Sequence, residues 1–341
     1  MPDILIYEDH EMDELFSIVN EEKIFFHPKY SINGEIDYKR FLKLKRKIVI
    51  LDRNLVSYLL EYAKNGILKS EECMVIVALT MLYCKTNYMQ ISVGFALQEY
   101  SWATGKKKDE LLDELNKLLT IINEYPAMIW KKVLYSNVKK IPKLSKVNDY
   151  YRSFDFSYKD INQMSHECEM IVLARIYKSS KSKKDKLIEF IEWIHKNVWI
   201  CQYTIVYAVI LFGGLPGVKA PKNINSKNFD EVVKGCINQA CDLSYLSKWS
   251  MMYWNEGKEK CNYFFATNDE LLKVIFFCTH RKENILNELY NLKEREEIIN
   301  KIKELQNNRV KPNIDKKILE NLFEEEKEKL RICFEDKEEI K

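Results

Sequence analysis

The stretch Lys47-Ile48-Val49-Ile50-Leu51-Asp52-Arg53-Asn54 decides how the chain is read. Four successive apolar residues, three of them β-branched, have the pattern of a short parallel strand buried on both faces. An acid, Asp52, follows at once. Residues 55–64 then carry a helical pattern, with Asn54 as a candidate N-cap and Asn65-Gly66 as the stop. The same order of strand, acid and helix recurs at Tyr263-Phe264-Phe265-Ala266, Thr267-Asn268-Asp269 and a helix from Glu270.

Between these two units the chain reads as helix. Ser70 is placed to cap a helix over about 71–85 that is apolar almost all round. Further helices are expected at about 93–103, 109–124, 160–177, 184–196 and 199–212. A turn follows at 213–217, then a helix at about 228–255 broken near Asp242. Ahead of the decisive stretch, residues 1–45 form a prelude with a strand at 4–7, a helix near 11–20 and a loop at 31–34. Beyond residue 281, dense Glu, Lys and Arg with apolar residues at helical spacing read as a charged helical extension running to 341. The fold class expected is therefore α/β: a central parallel sheet flanked by helices at 46–280, with a large helical insertion at about 104–235.

Composition narrows the classes. In 341 residues, 46% hydrophobic content suffices for a sizeable core, and 54 Lys and Arg against 51 acids leave a net charge of +3. That charge does not by itself argue for a polyanionic partner. The nine cysteines are scattered, with no Cys-x-x-Cys pair, and read as reduced cytosolic thiols. A cytoplasmic location is expected, since the first ten residues carry acids where a signal peptide needs a basic stretch and then an apolar one. No membrane association is expected, because the longest apolar stretch, 199–212, is too short to span a bilayer.

The chemistry lies in the acids. In an open α/β sheet, ligands gather beyond the carboxyl ends of parallel strands, where Asp52 and Asp269 both fall. Asp242 shares a helical face with Leu246, Trp249 and Tyr253, and Glu99 with Phe95 and Trp102, so both are expected to point inward. Converging carboxylates repel and are costly to bury unless a divalent cation joins them. Hard oxygen ligands favour Mg2+ or Mn2+, and such an ion suits phosphodiester hydrolysis.

With those residues in view, the chain resembles the PIN-like nucleases through 48–54, Asp242-Leu243 at an expected helix start, and Phe265-Ala266-Thr267-Asn268-Asp269. The resemblance covers about 47–99 and 238–275, and the long helical segment between departs from the compact family pattern. It implies a metal-dependent endoribonuclease with Asp52, Glu99, Asp242 and Asp269 as the metal-holding acids and Asn54 and Thr267 as supporting polar residues. Glu167 or Glu169 stands as a substitute for Glu99. RNA is the expected partner. A toxin or defence role under a regulatory protein accompanies this reading. The alternative is a noncatalytic RNA-binding or protein-interaction module on the same fold.

Each residue also has a plainer explanation. Asp52 and Asp269 can favour the positive ends of the helices that follow them, Asp242 can cap a helix, and Glu99 can pair with a lysine such as those at 106–108. His166-Glu167-Cys168-Glu169 has no second histidine at zinc-site spacing, so His166 is expected to be solvated or hydrogen-bonded. Lys131, Lys132, Lys139, Lys140, Lys143 and Lys146 read either as a phosphate-tracking patch beside Trp130, Tyr135, Tyr150 and Tyr151, or as solvated lysines beside core aromatics.

Overall fold

The computed structural model describes residues 9–335 except 69, 137, 157 and 158. The strand expected at 4–7 lies outside the described residues. The chain divides into two compact units, Met1–Tyr158 with Trp249–Lys273, and Lys159–Lys248 with Val274–Lys341.

The first unit is built on β2 (Lys47–Leu51), whose five residues are all buried. In chain order it begins with α1 (Asp9–Glu22), β1 (Phe25–Phe26) and α2 (Tyr38–Phe41), which precede β2. After β2 come α3 (Arg53–Asn65), α4 (Glu71–Thr86), β3 (Gln90–Ser92), α5 (Gly94–Thr104), α6 (Lys108–Glu124) and α7 (Ala127–Tyr135). The sheet order is β1-β4-β2-β3, where β4 is Asn262–Ala266. Strand β2 is parallel to both neighbours, and β1 joins β4 antiparallel. The α/β class is thus observed, but the sheet is mixed where a purely parallel one was expected. The prelude is part of this sheet, because Phe25 and Phe26 pair with Ala266 and Phe265.

Local signals set the ends of the elements. Gly66 stops α3 in the left-handed conformation at φ 69°, as the Asn65-Gly66 signal predicts. The Ser70 hydroxyl accepts the Cys73 N–H at 3.3 Å and starts α4. The cap of α3 differs from expectation: it is Asp52, and Asn54 is an exposed residue inside the first turn. An aspartate in extended backbone satisfies the orphan Leu55 N–H and starts the helix two positions earlier than Asn54 would.

The second unit contains α8 (Ile161–Lys178), α9 (Lys183–Asn197) and α10 (Gln202–Gly213), and later α13 (Leu286–Leu289), α14 (Leu292–Asn307) and α15 (Lys316–Glu335). Helix α8 is buried along almost its whole length and packs against α15, α9 and α10. The charged extension after 281 is therefore a wall of this unit: Leu319 and Leu330 of α15 are buried and Glu326 accepts from the Trp193 indole at 3.1 Å. The insertion expected at 104–235 is likewise divided, with α6 and α7 in the first unit and α8 to α10 in the second.

Helix α11 (Phe229–Glu259) and α12 (Glu270–His280) each contribute residues to both units. The break expected near Asp242 is absent. Residues 236–256 contain neither Gly nor Pro, so nothing interrupts the backbone ladder, and Asp242 sits mid-helix. Among the described residues no helix is long and apolar enough to cross a membrane. All nine cysteines are free thiols.

Candidate acidic site at the strand ends

Strands β2 and β4 lie side by side with Leu51 opposite Ala266, so Asp52 and Thr267 leave the sheet together at its carboxyl end. The Asp52 N–H donates to the Ala266 carbonyl at 3.0 Å, extending the ladder by one residue. One Asp52 oxygen, Oδ1, accepts the Leu55 N–H at 3.0 Å and thereby caps α3. The other, Oδ2, accepts the Thr267 hydroxyl. Thr267 in turn accepts the Asp269 N–H at 2.9 Å. Asp269 caps α12, its Oδ1 taking the Leu271 and Leu272 N–H groups at 2.9 and 3.1 Å. A single chain of hydrogen bonds thus links the two acids through Thr267.

Glu99 arrives from α5, which packs on α3. Arg53, the residue after Asp52, donates Nη1–H to Glu99 Oε1 at 2.8 Å. Glu99 is only 4% exposed, and its Oε2 is buried without a hydrogen-bond partner. Asp52 is 3% exposed. Burial pushes its carboxyl up to about 7, while the Leu55 N–H and the Thr267 hydroxyl pull the other way and the charges of Asp269 and Glu99 add to the rise. The three acids are therefore close enough to feel one another.

The remaining expected residues sit elsewhere. Asp242 belongs to the second unit, half-buried, and pairs with Lys222. Glu167 and Glu169 are buried in that unit too: Glu167 accepts from Lys159 at 2.5 Å and from Gln163 at 3.3 Å, and Glu169 pairs with His166 at 2.6 Å. His166 is buried and hydrogen-bonded, not solvated. Among the described residues no group of three or more His, Cys, Asp or Glu side chains is arranged to hold a metal ion. Arg53 is the residue that sequence reasoning passed over. A basic residue directly after the acid that ends the strand was its only signal.

Of the aromatics beside the lysines, Trp130 is core, whereas Tyr150 and Tyr151 are exposed. Lys131 pairs with Glu11 and Lys139 with Glu71. Lys132, Lys140, Lys143 and Lys146 are exposed in the same unit as the acids. No family model matches the chain, and neither a curated protein nor a solved structure does.

Proposed function

We propose that the first unit is a PIN-like, metal-dependent endoribonuclease whose working acids are Asp52 and Asp269, with Glu99 beside them. The observation that carries the proposal is Asp52: a buried carboxylate at the end of a parallel strand, raised to about 7 by burial and by two neighbouring acids. Once ionised, a carboxyl buried in this way costs stability, and perturbed acids of this kind concentrate at functional sites. The donor set is all oxygen, which suits a hard divalent cation. Magnesium keeps several of its waters and binds through one or two carboxylates, so a pair such as Asp52 and Asp269 is sufficient without a cage of three. Such a cation supplies the Lewis acidity that phosphodiester hydrolysis requires. Thr267 holds Asp52 in one orientation and Arg53 holds Glu99. Exposed Lys132, Lys140, Lys143 and Lys146 with Tyr150 and Tyr151 offer charge and stacking surfaces of the kind single-stranded RNA uses. Asp242, in the other unit, is not needed for this reading.

A second reading, a noncatalytic RNA-binding or protein-interaction module, draws on the same geometry, since Asp52 and Asp269 both cap helices and Glu99 has an arginine partner. Incubation of a mixed single-stranded and structured RNA pool with Mg2+ or Mn2+ separates the two. Metal-dependent cutting by the wild type, lost in a folded Asp269→Asn variant, is the expected result. No cutting by either protein selects the noncatalytic module.

A further inference from the structure

A second constellation lies wholly within the second unit and plays no part in the acidic site. His166, on α8, places Nδ1 2.6 Å from Glu169 Oε2 and Nε2 2.8 Å from the Ser247 hydroxyl. The Ser247 oxygen is also 3.1 Å from Cys201 Sγ. Thr204 donates its hydroxyl to the same Glu169 oxygen at 2.7 Å, and its oxygen lies 3.1 Å from His166 Nδ1. These contacts accommodate two proton arrangements, a neutral pair and a thiolate with imidazolium, and the neutral pair is the starting point. With Glu169 accepting at Nδ1, that nitrogen carries hydrogen and Nε2 is free to accept from Ser247, whose oxygen then accepts from the Cys201 thiol. A proton can pass from sulfur to imidazole through one hydroxyl.

The placement of Cys201 matters as much as its partners. It is the N-cap of α10, a 12-residue helix, and no side chain caps that end. The first N–H groups of the helix are thus not taken up by the Cys201 side chain, and the positive end of a helix beside a sulfur favours thiolate. Burial alone would raise the thiol, but His166 facing it outweighs burial and holds it below the ordinary range. His166 is correspondingly held well above the usual imidazole range, because Cys201 and Glu169 outweigh its own burial. Cys201 is half-buried, and the two residues before it, Trp199 and Ile200, are 37% and 40% exposed. They place exposed apolar side chains immediately before the thiol in the chain.

We propose that Cys201, His166 and Glu169, with Ser247 bridging the first two, form a nucleophilic site that accepts apolar acyl groups from an activated ester or thioester. The sulfur attacks the carbonyl carbon, forming a C–S bond and an oxyanion that faces the first-turn N–H groups of α10. Collapse breaks the bond to the leaving group, which takes the proton held by His166. Water then attacks the acyl-thioester while His166 removes its proton, and release of the carboxylic acid returns the thiol. Glu169 and Thr204 are positioning residues that fix the tautomer of His166.

The test uses the full chain and two probes. Iodoacetamide alkylation of wild-type protein, followed by peptide mapping, reads the ionisation of Cys201 with no substitution at all. The facing groups are Glu169 on the same helix as His166, Cys201 ahead of α10, and the Ser247 hydroxyl from α11. An ordinary thiol with a pKa near 8.5 slows about tenfold for each pH unit below that value. Cys201 is expected to react faster at pH 7 than an ordinary thiol and to lose clearly less than tenfold per unit between about pH 8 and pH 6, and a full tenfold fall per unit there overturns the proposal. With p-nitrophenyl butyrate, the wild type is expected to release about one p-nitrophenolate per chain in a burst and to carry the butyryl mass on the Cys201 peptide. Glu169→Gln should slow that burst about tenfold or more while retaining the adduct, as loss of a base-orienting group does. A burst undiminished in Cys201→Ala, or an adduct mapped to another residue, also overturns it.

Discussion

Replacing Asp52 by asparagine should make the protein less stable at pH 4 and more stable at pH 8. The folded carboxyl titrates at about 7 against an ordinary 3.8, so between those values the folded state binds more protons than the unfolded one and stability falls as pH rises. A gap of about three pH units corresponds to on the order of 4 kcal/mol, fully present below the unfolded value and lost once pH passes the folded one. The Asp52→Asn amide does not titrate and escapes that loss. It also cannot accept from both the Leu55 N–H and the Thr267 hydroxyl, a mismatch worth about 1 kcal/mol. The variant is therefore expected to be roughly 1 kcal/mol less stable at pH 4 and on the order of 3 kcal/mol more stable at pH 8. Urea denaturation at the two pH values, followed by circular dichroism, measures both. Parallel shifts at both pH values would refute the argument, because they would mean that Asp52 ionises normally in the folded protein.

Three further outcomes follow from other parts of the fold. His27 is buried against Glu256 at 2.8 Å and its ring is held below the ordinary 6.5, so folded protein binds fewer protons than unfolded and stability drops on acidification below about 6.5; denaturation curves of His27→Gln should show a shallower acid slope. Arg53→Ala should cost about 1–3 kcal/mol by stranding buried Glu99, less than a fully buried pair because Arg53 is part-exposed, and adding Glu99→Gln should recover much of it in a double-mutant cycle. Gly235→Ala, which in an exposed helix would gain up to about 1 kcal/mol, should instead lower the melting temperature, since the added Cβ would overlap the Lys222 carbonyl with its carbon at 2.6 Å.

How much of this was legible depends on how far each signal reaches along the chain. Strands β2 and β4 announced themselves because each is a run of buried apolar residues followed by an acid, and their parallel pairing put Asp52 beside Thr267 as the pattern required. Strands β1 and β3 have two and three residues, too few for any period to register. Asp242-Leu243 reads as a helix start only through the family resemblance and an expected break in the helical stretch at 228–255, whereas the helix is continuous there. The partner of Asp242, Lys222, lies in a preceding loop that local pattern does not connect to it. The boundaries of the two units were similarly hidden, since Trp249–Lys273 returns to the sheet after a long excursion through the second unit. The His166 and Glu169 pair was visible at helical spacing, but Cys201 and Ser247 come from other helices, so the cluster looked like a failed zinc motif.

The most direct test of the acidic site is the titration of the Asp52 side-chain carboxyl by carbon NMR, with and without Mg2+. An ionisation near pH 7 is expected without the cation and a clear fall when Mg2+ is added, because a bound divalent charge favours the carboxylate. A midpoint near 7 that saturating Mg2+ leaves unmoved would contradict this expectation.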